Sequence, residues 1–239
     1  MIAHVRWSGA GSAKMSRMVR TEGFRGWPAD ALAFYAELAA DNTKVWWHAN
    51  KARYDTNVRG PMVALGDEVR VEFGPLHIFR PQRDTRFAKD KAPYKSHLAA
   101  VTEAEGGASY YVQLGADGLY VGAGYYVFAT DQLARYRAAV AADEGDSFAQ
   151  AVTVARKAGY VIAGDALKTA PRGFAKDHPR VELLRHKGIY ASRQFPPAKW
   201  LATHAALDRI TAAWRECAPF LAWLEQYVGP SEMPPDDRW

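Results

Sequence analysis

Cysteine is the residue that this chain lacks most: Cys217 is the single cysteine among 239 residues. One cysteine cannot form a disulfide within the chain, which favours a reducing, cytoplasmic setting. Long hydrophobic runs are also missing, because no apolar stretch approaches the roughly 20 residues that a membrane-spanning helix needs. Hydrophobic residues still make up 49% of the chain, which is too many for a disordered protein. We therefore expect a folded, soluble protein with no membrane partner.

The motifs of several enzyme classes are missing as well. The seven histidines are scattered, and none forms the His-Glu-x-x-His pattern of a zinc site, so we predict no metal. There is no Gly-x-Ser-x-Gly elbow and no phosphate-binding P-loop. Gly122-x-Gly124 is followed by strand-like residues rather than by a helix start, which excludes a dinucleotide fingerprint. The sequence thus predicts no cofactor and leaves open whether the protein is an enzyme.

The chain reads as one α+β domain over residues 21–228. Residues 1–20 carry four basic side chains and no acid, without apolar periodicity, and are interpreted as a flexible leader. Residues 229–239 are rich in proline and aspartate and are expected to fray. No linker divides the part between them.

Strand-like segments lie in the middle of the chain, with helical patterns before and after them. Helices are predicted to begin at Pro28 and Pro61, and one long helix, bent near Pro219, is predicted from Pro197 onward. Residues 110–114 and 119–121 flank a four-residue loop, 115–118, as in a β-hairpin. This order favours a central antiparallel or mixed sheet with segregated helices, the α+β class.

Positive charge is concentrated in two internal segments. Residues 77–97 contain six basic and two acidic side chains, and residues 168–193 contain seven basic and two acidic ones. The overall net charge of +5 therefore averages an uneven distribution. Arginine forks and lysine ammonium groups bind phosphate and carboxylate, so each segment is a candidate anion site.

The first segment offers the clearer chemistry. Its candidate anion-binding residues are Arg83, Arg86, Lys89, Lys91 and Lys95, and its two acids, Asp84 and Asp90, are candidates for orienting those cations. The second segment would close the same site with Arg172, Arg185 and Lys187. Composition alone favours a plainer alternative, in which the segment is a solvated loop whose acids pair internally with its cations.

Tyrosines and glycines suggest where a ligand would lie. Alternation along a strand places Tyr120, Gly122, Gly124 and Tyr126 on one face, and the two glycines leave that face bare. Tyr94, within the basic segment, is a further candidate for this ligand face. Helix packing is an alternative reason for the glycines, and most tyrosines of the hairpin are expected in the core. Exposed tyrosines beside cations would also suit single-stranded nucleic acid.

His178 and Cys217 are two further residues whose side chains could carry chemistry. His178 is a weak candidate for a catalytic acid–base group, because imidazole titrates near neutrality. The alternative places it at a helix start before Pro179. Cys217 lies in an apolar helical stripe and is expected to be inert core.

Residues 83–95, with the sequence RDTRFAKDKAPYK, resemble the signature of domain-of-unknown-function family 2461. Further stretches that match its pattern lie at 46–54, 111–137 and 171–187, so the resemblance covers about residues 23–227. Ala88 stands where the family usually has serine, His48 where an acid is usual, and Trp47 where phenylalanine is usual. Ala88 weakens any mechanism that needs a hydroxyl there.

The resemblance implies that both basic segments belong to family motifs, but it brings no settled activity. Our leading hypothesis is a protein that binds a phosphate- or carboxylate-bearing small ligand. The alternatives are a nucleic-acid-binding module and a non-enzymatic structural or interaction protein. The oligomeric state is not predicted.

Overall fold

A six-stranded antiparallel sheet is the centre of the fold in the computed structural model, which describes residues 23–86, 89–102 and 107–233. The predicted leader lies outside these residues, as does most of the predicted tail. The strands stand in the order β1-β2-β3-β4-β6-β5, and they are β1 (Leu76–Ile78), β2 (His97–Thr102), β3 (Ser109–Gly115), β4 (Gly118–Tyr125), β5 (Val161–Ala163) and β6 (Ile189–Phe195). Each neighbouring pair is antiparallel. The predicted α+β class is confirmed.

Helices come before the strands, between them and after them in the chain. They are α1 (Ala29–Ala40), α2 (Lys44–Tyr54), α3 (Gly60–Phe73), α4 (Thr130–Ala141), α5 (Glu144–Lys157), α6 (Val181–Leu184), α7 (Ala205–Glu216) and α8 (Ala218–Tyr227). No helix within the described ranges has both the length and the hydropathy that crossing a membrane requires.

A π-helical turn, Asp55–Arg59, joins α2 and α3 into one helical segment. Pro61 has no N–H to donate, and its ring would collide with the carbonyl four residues earlier in a regular helix. The wider turn places the Gly60 N–H on the carbonyl of Asp55, five residues back. Pro61 therefore lies inside a continuing helix rather than at the start of a separate one.

The hydrophobic core lies between one face of the sheet and the helices. Trp214 of α7 contacts Phe73 and Tyr110, with ring centroids 5.0 and 5.4 Å apart. Its indole N–H donates to the carbonyl of Tyr111 at 3.2 Å. Val112 and Val121 on this face are fully buried. Because side chains alternate along a strand, their neighbours point to the opposite face, where the candidate site lies.

The structure corrects three local predictions. The hairpin loop is a two-residue turn, because Gly115 and Gly118 still pair with each other. The long C-terminal helix is two helices that meet at Cys217, with Pro219 in the first turn of α8. Strands β2 and β5 were not predicted. β5 is only three residues long, too short for a periodic pattern to appear.

Candidate functional site

A cavity of about 550 Å³ occupies the face of the sheet opposite the helical core. Small residues, namely Ala99, Ser109, Gly122 and Gly124, lie between larger ones. Its aromatic lining consists of Phe79, Tyr111, Tyr120, Tyr126 and Tyr190, and its polar lining includes Lys95, His97 and Gln113. Among the residues that the structure describes, no aspartate or glutamate lines this cavity.

The strand register brings these residues together from distant parts of the chain. Gln113 in β3 lies between Ala99 of β2 and Tyr120 of β4. In a second row, Gly124 of β4 lies between Ser109 of β3 and Tyr190 of β6. Cross-strand partners on one face are close neighbours, so the rows form a continuous surface.

Glycine at position 124 is required by the backbone. Gly124 has a φ of +144°, and a Cβ there would lie 2.4 Å from the carbonyl oxygen of Ile189 in β6. At Gly122 the corresponding distance, to the carbonyl oxygen of Ala191, is 3.2 Å. The close approach of β6 thus explains Gly124 without helix packing. Both glycines leave the cavity floor without side chains.

Tyr111 and Tyr190 contribute phenol hydroxyls to the cavity. The Tyr111 hydroxyl donates to the side-chain oxygen of Gln113 at 2.7 Å. Burial raises the pKa of Tyr190, with smaller contributions from the neighbouring Tyr120 and Tyr126. Burial and the neighbouring tyrosines raise the pKa of Tyr111 as well. These phenols therefore stay neutral at physiological pH and can donate hydrogen bonds.

Lys95 supplies positive charge at one end of the cavity. Its ammonium lies 5.2 Å from the ring centroid of Phe79, and within the described residues no carboxylate forms an ion pair with it. Burial, with a smaller contribution from Arg80, lowers the pKa of Lys95. Burial and the charge of Lys95 in turn lower the pKa of His97. This end of the cavity is therefore rich in donors, and the described residues supply it with no counter-ion.

The basic segment reaches the cavity through a short antiparallel neck. Gln82 and Tyr94 form a bridge, the Arg83 N–H donates to Pro93 and the Lys95 N–H donates to Pro81, both at 2.9 Å. This pairing carries the chain into β2 and places Lys95 beside the sheet.

The other cations of this segment are mostly held by the loop itself. Arg83 pairs with Asp90, and Arg86 pairs with Asp84 at 2.7 Å. Arg86 lowers the pKa of Asp84 to about 2. The ammonium of Lys91 donates to the carbonyl of Thr85 at 2.9 Å, while Lys89 is exposed. These contacts are of the kind expected if the acids of the loop pair with its own cations. Of the five cations predicted to bind an anion in this segment, Lys95 is the one that lines the cavity among the described residues.

The two basic segments are not brought together. Lys187 pairs with Asp165 at 2.7 Å. Lys187 lies two residues before β6, whose first residue pairs with Tyr125 at the end of β4. Lys95 lies two residues before β2, whose first residue pairs with Gly115 at the hairpin turn, the other end of the strands. Arg185 donates to the carbonyl of Leu167 and pairs with Glu182, and Arg172 is exposed. The second segment therefore does not close the cavity at its cationic end.

Two other candidates lie outside the cavity. Tyr94 is 5% exposed and stacks on Trp47 with ring centroids 4.1 Å apart, so it is a core residue and not part of a ligand face. His178 accepts the backbone N–H of Arg180 through Nδ1 at 3.0 Å. This bond holds the turn before α6, the structural alternative given for His178.

Cys217 is buried, and burial raises its pKa to about 12, as expected for an inert thiol.

Tyr120, Gly122, Gly124 and Tyr126 were correctly placed on one face, but several lining residues were missed. They are Phe79, His97, Tyr111, Gln113 and Tyr190. The hairpin could have supplied Tyr111 and Gln113, because a closed turn sets which residues of the two strands share a face. The others require pairings between strands distant in sequence, for which a single sequence carries no signal.

Comparison with known proteins yields one finding. No curated protein and no solved structure matches the chain. A family model described as "Conserved hypothetical protein (DUF2461)" matches residues 30–223, which include the whole sheet, the basic segment and every residue that lines the cavity. The resemblance seen in the basic motif is thereby confirmed, and the chain belongs to the DUF2461 family of conserved hypothetical proteins.

Proposed function

We propose that this protein binds a small molecule bearing a carboxylate or phosphate in the sheet cavity, in a reducing cytoplasmic setting. Lys95 is the anchor for the anion. The observation that carries this proposal is a partly buried lysine that faces the cavity with no carboxylate beside it among the described residues.

A cation held in this way is unfavourable unless something compensates it. Removal of a charge from water is costly, and proteins usually pair such charges. Here the nearby charged group is Arg80, which has the same sign. A bound anion would offset both the lost hydration of Lys95 and its repulsion from Arg80. The site therefore favours an anionic ligand over a neutral or cationic one.

Neighbouring groups support the same ligand class. The side-chain oxygen of Gln113 accepts from Tyr111, which leaves the Gln113 amide N–H groups available to a ligand. Phenol hydroxyls add further donors, and the volume is in the range of small-molecule sites. A lining rich in donors, with no acid among its described residues, is suited to carboxylate or phosphate oxygens.

Nucleic acid receives less support as a ligand. Binding of a phosphate backbone requires several cations spaced along a groove. Lys95 is the one lysine or arginine among the described lining residues, and Arg83 and Arg86 already pair with acids. The cavity therefore favours a single anionic group on a small molecule.

Isothermal titration calorimetry with inorganic phosphate and with valerate tests the proposal. Lys95→Met keeps the aliphatic stem that packs near Phe79 but removes the charge, and it should weaken binding at least about tenfold, the usual scale for a lost charged contact. Lys89→Met removes an equal charge from the same basic segment and should leave affinity unchanged. Equal loss in both variants, or no binding to the wild type at millimolar anion, would contradict the proposal.

A further inference from the structure

We infer that the ligand of this cavity is an acid that carries a flat ring, with the acid group at Lys95 and the ring among the tyrosines at the opposite end. This inference rests on the proposed anion site, and it specifies the part of the ligand that lies away from Lys95. Three observations support it: the shape of the cavity floor, the placement of Lys95 and the Tyr126–Tyr190 pair at opposite ends, and the exposure of Tyr126.

The floor and the walls together form a slot. Gly122 and Gly124 contribute no side chains to the floor, while Tyr126, the residue after β4, and Tyr190 of β6 provide aromatic walls. A bare strand between aromatic side chains permits a ligand to approach the backbone closely. A flat body fits such a slot better than a globular one.

Lys95 and the pair of rings formed by Tyr126 and Tyr190 lie at opposite ends of the cavity. Lys95 and His97 lie beside the start of β2, whereas Tyr190 and Gly124 pair near the other end of the strands. Four residues separate Gln113 from Ser109 along β3, which is about 14 Å at 3.4 Å per residue. The ammonium of Lys95 lies beside Phe79, whose N–H donates to Ala99 in the row of Gln113. A ring and an acid joined by a chain of about four carbons would therefore reach from Lys95 to the row of Ser109.

Tyr126 offers a surface for stacking. Its ring lies nearly parallel to that of Tyr190, with an interplanar angle of 26° and centroids 6.2 Å apart, and its side chain is 76% exposed. An aromatic ring left in water gains by stacking on a planar partner, whereas an alkyl chain offers no such geometry. The tyrosines therefore favour a ring over a simple fatty chain.

Four matched probes separate the ring from the charge: 5-phenylvalerate, 5-cyclohexylvalerate, valerate and 5-phenylpentanol. By calorimetry, 5-phenylvalerate should bind at least about tenfold tighter than valerate, because the ring buries apolar surface. It should bind about threefold to tenfold tighter than the cyclohexyl acid, the range given by one stacked pair. The alcohol should bind weakly and should not respond to Lys95→Met.

Two variants test whether the phenyl ring of the ligand binds beside Tyr126. Tyr126→Ser removes an exposed ring and should lower affinity for 5-phenylvalerate about threefold to tenfold while leaving valerate unchanged. Val127→Ser, at the next position and outside the cavity lining, is the matched control and should change neither affinity. Melting temperatures measured alongside would show that both variants remain folded.

The outcomes distinguish the two proposals. Equal affinity for the phenyl and cyclohexyl acids, both lost in Lys95→Met, overturns the ring and leaves the anion site intact. A phenyl alcohol that binds as tightly as the acid, with no response to Lys95→Met, overturns the anion site and this inference with it. Absence of binding by any acid at millimolar concentration overturns both.

Discussion

Lys95 is the residue on which the proposed function depends, and the lowered pKa of its ammonium reflects its surroundings. Burial removes water from the ammonium, and Arg80 adds a like charge. Arg83 and Arg86, by contrast, have partners within their own loop, and their acids hold them. A group in a cleft whose pKa is shifted by burial and by a neighbouring charge is a candidate for a functional role. The difference between these neighbouring cations decides which of them can serve a ligand.

His97 reports directly on the charge of Lys95. Its pKa should lie below the ordinary value of 6.5, because burial and the ammonium of Lys95 both disfavour the imidazolium. Lys95→Met removes one cause, so the pKa of His97 should rise toward 6.5 in an NMR titration of the imidazole resonances. Lys89→Met should leave it unchanged. A pKa of His97 that is the same in Lys95→Met and wild type would contradict the proximity of the two groups.

The lowered pKa of His97 also predicts how the stability of the protein changes with pH. Where the folded pKa of a histidine is lower than its unfolded value, the unfolded state binds more protons as pH falls. The contribution of His97 to the free energy of unfolding should therefore be present above pH 6.5 and be lost as the pH falls below it.

The basic segment is an element with its own anchor, and that anchor lies in another part of the chain. Asn42, between α1 and α2, donates to the carbonyl of Tyr94 at 3.0 Å and accepts the Tyr94 N–H at 3.1 Å. The side chain of Tyr94 stacks on Trp47 in α2. These contacts hold the neck of the loop next to β2 and so fix the direction in which Lys95 enters the cavity.

Asn42→Ala should loosen this element measurably. It removes two partly buried hydrogen bonds, so we expect the free energy of unfolding to fall by about 1–3 kcal/mol in denaturant titrations. Amide hydrogen exchange at Tyr94 and Lys95 should accelerate by more than exchange in β4. Asn42→Asp keeps the acceptor alone and should have an intermediate effect. Exchange that rises equally in the neck and in β4 would contradict a local anchor.

Local signals predicted elements better than they predicted the site. The hairpin, the glycine face and helix α1 all follow from short-range patterns of turn residues and periodicity. Tyr94 was placed among ligand-facing residues because its neighbours are charged, yet its own contacts are with Trp47 and Asn42, more than 40 positions earlier. Charge content likewise could not reveal that Arg83 and Arg86 pair within the loop while Lys95 does not.

At the scale of the whole molecule, the sheet draws on both halves of the chain. β1 to β4 come from the first half, and β6 pairs with β4 only after α4, α5 and β5 have intervened. Helices α7 and α8 then pack against the middle strands, as the contact of Trp214 with Tyr110 illustrates. Neither half would bury its apolar surface alone, so we continue to expect one domain over residues 21–228.

A single cooperative unfolding transition is therefore expected. Far-UV circular dichroism, which reports on helices, and tryptophan fluorescence, which reports on the core, should give the same midpoint in urea. Two separated midpoints would contradict a single domain.

The central claim is that the sheet cavity receives an anion on Lys95, and a crystal structure of the complex with 5-phenylvalerate tests it most directly. We predict a carboxylate oxygen within about 3 Å of the Lys95 Nζ, the usual length of a charge-assisted hydrogen bond, and the phenyl ring against Tyr126. A carboxylate held instead by Arg83, Arg86 or the second basic segment, with the cavity free of ligand, would contradict it.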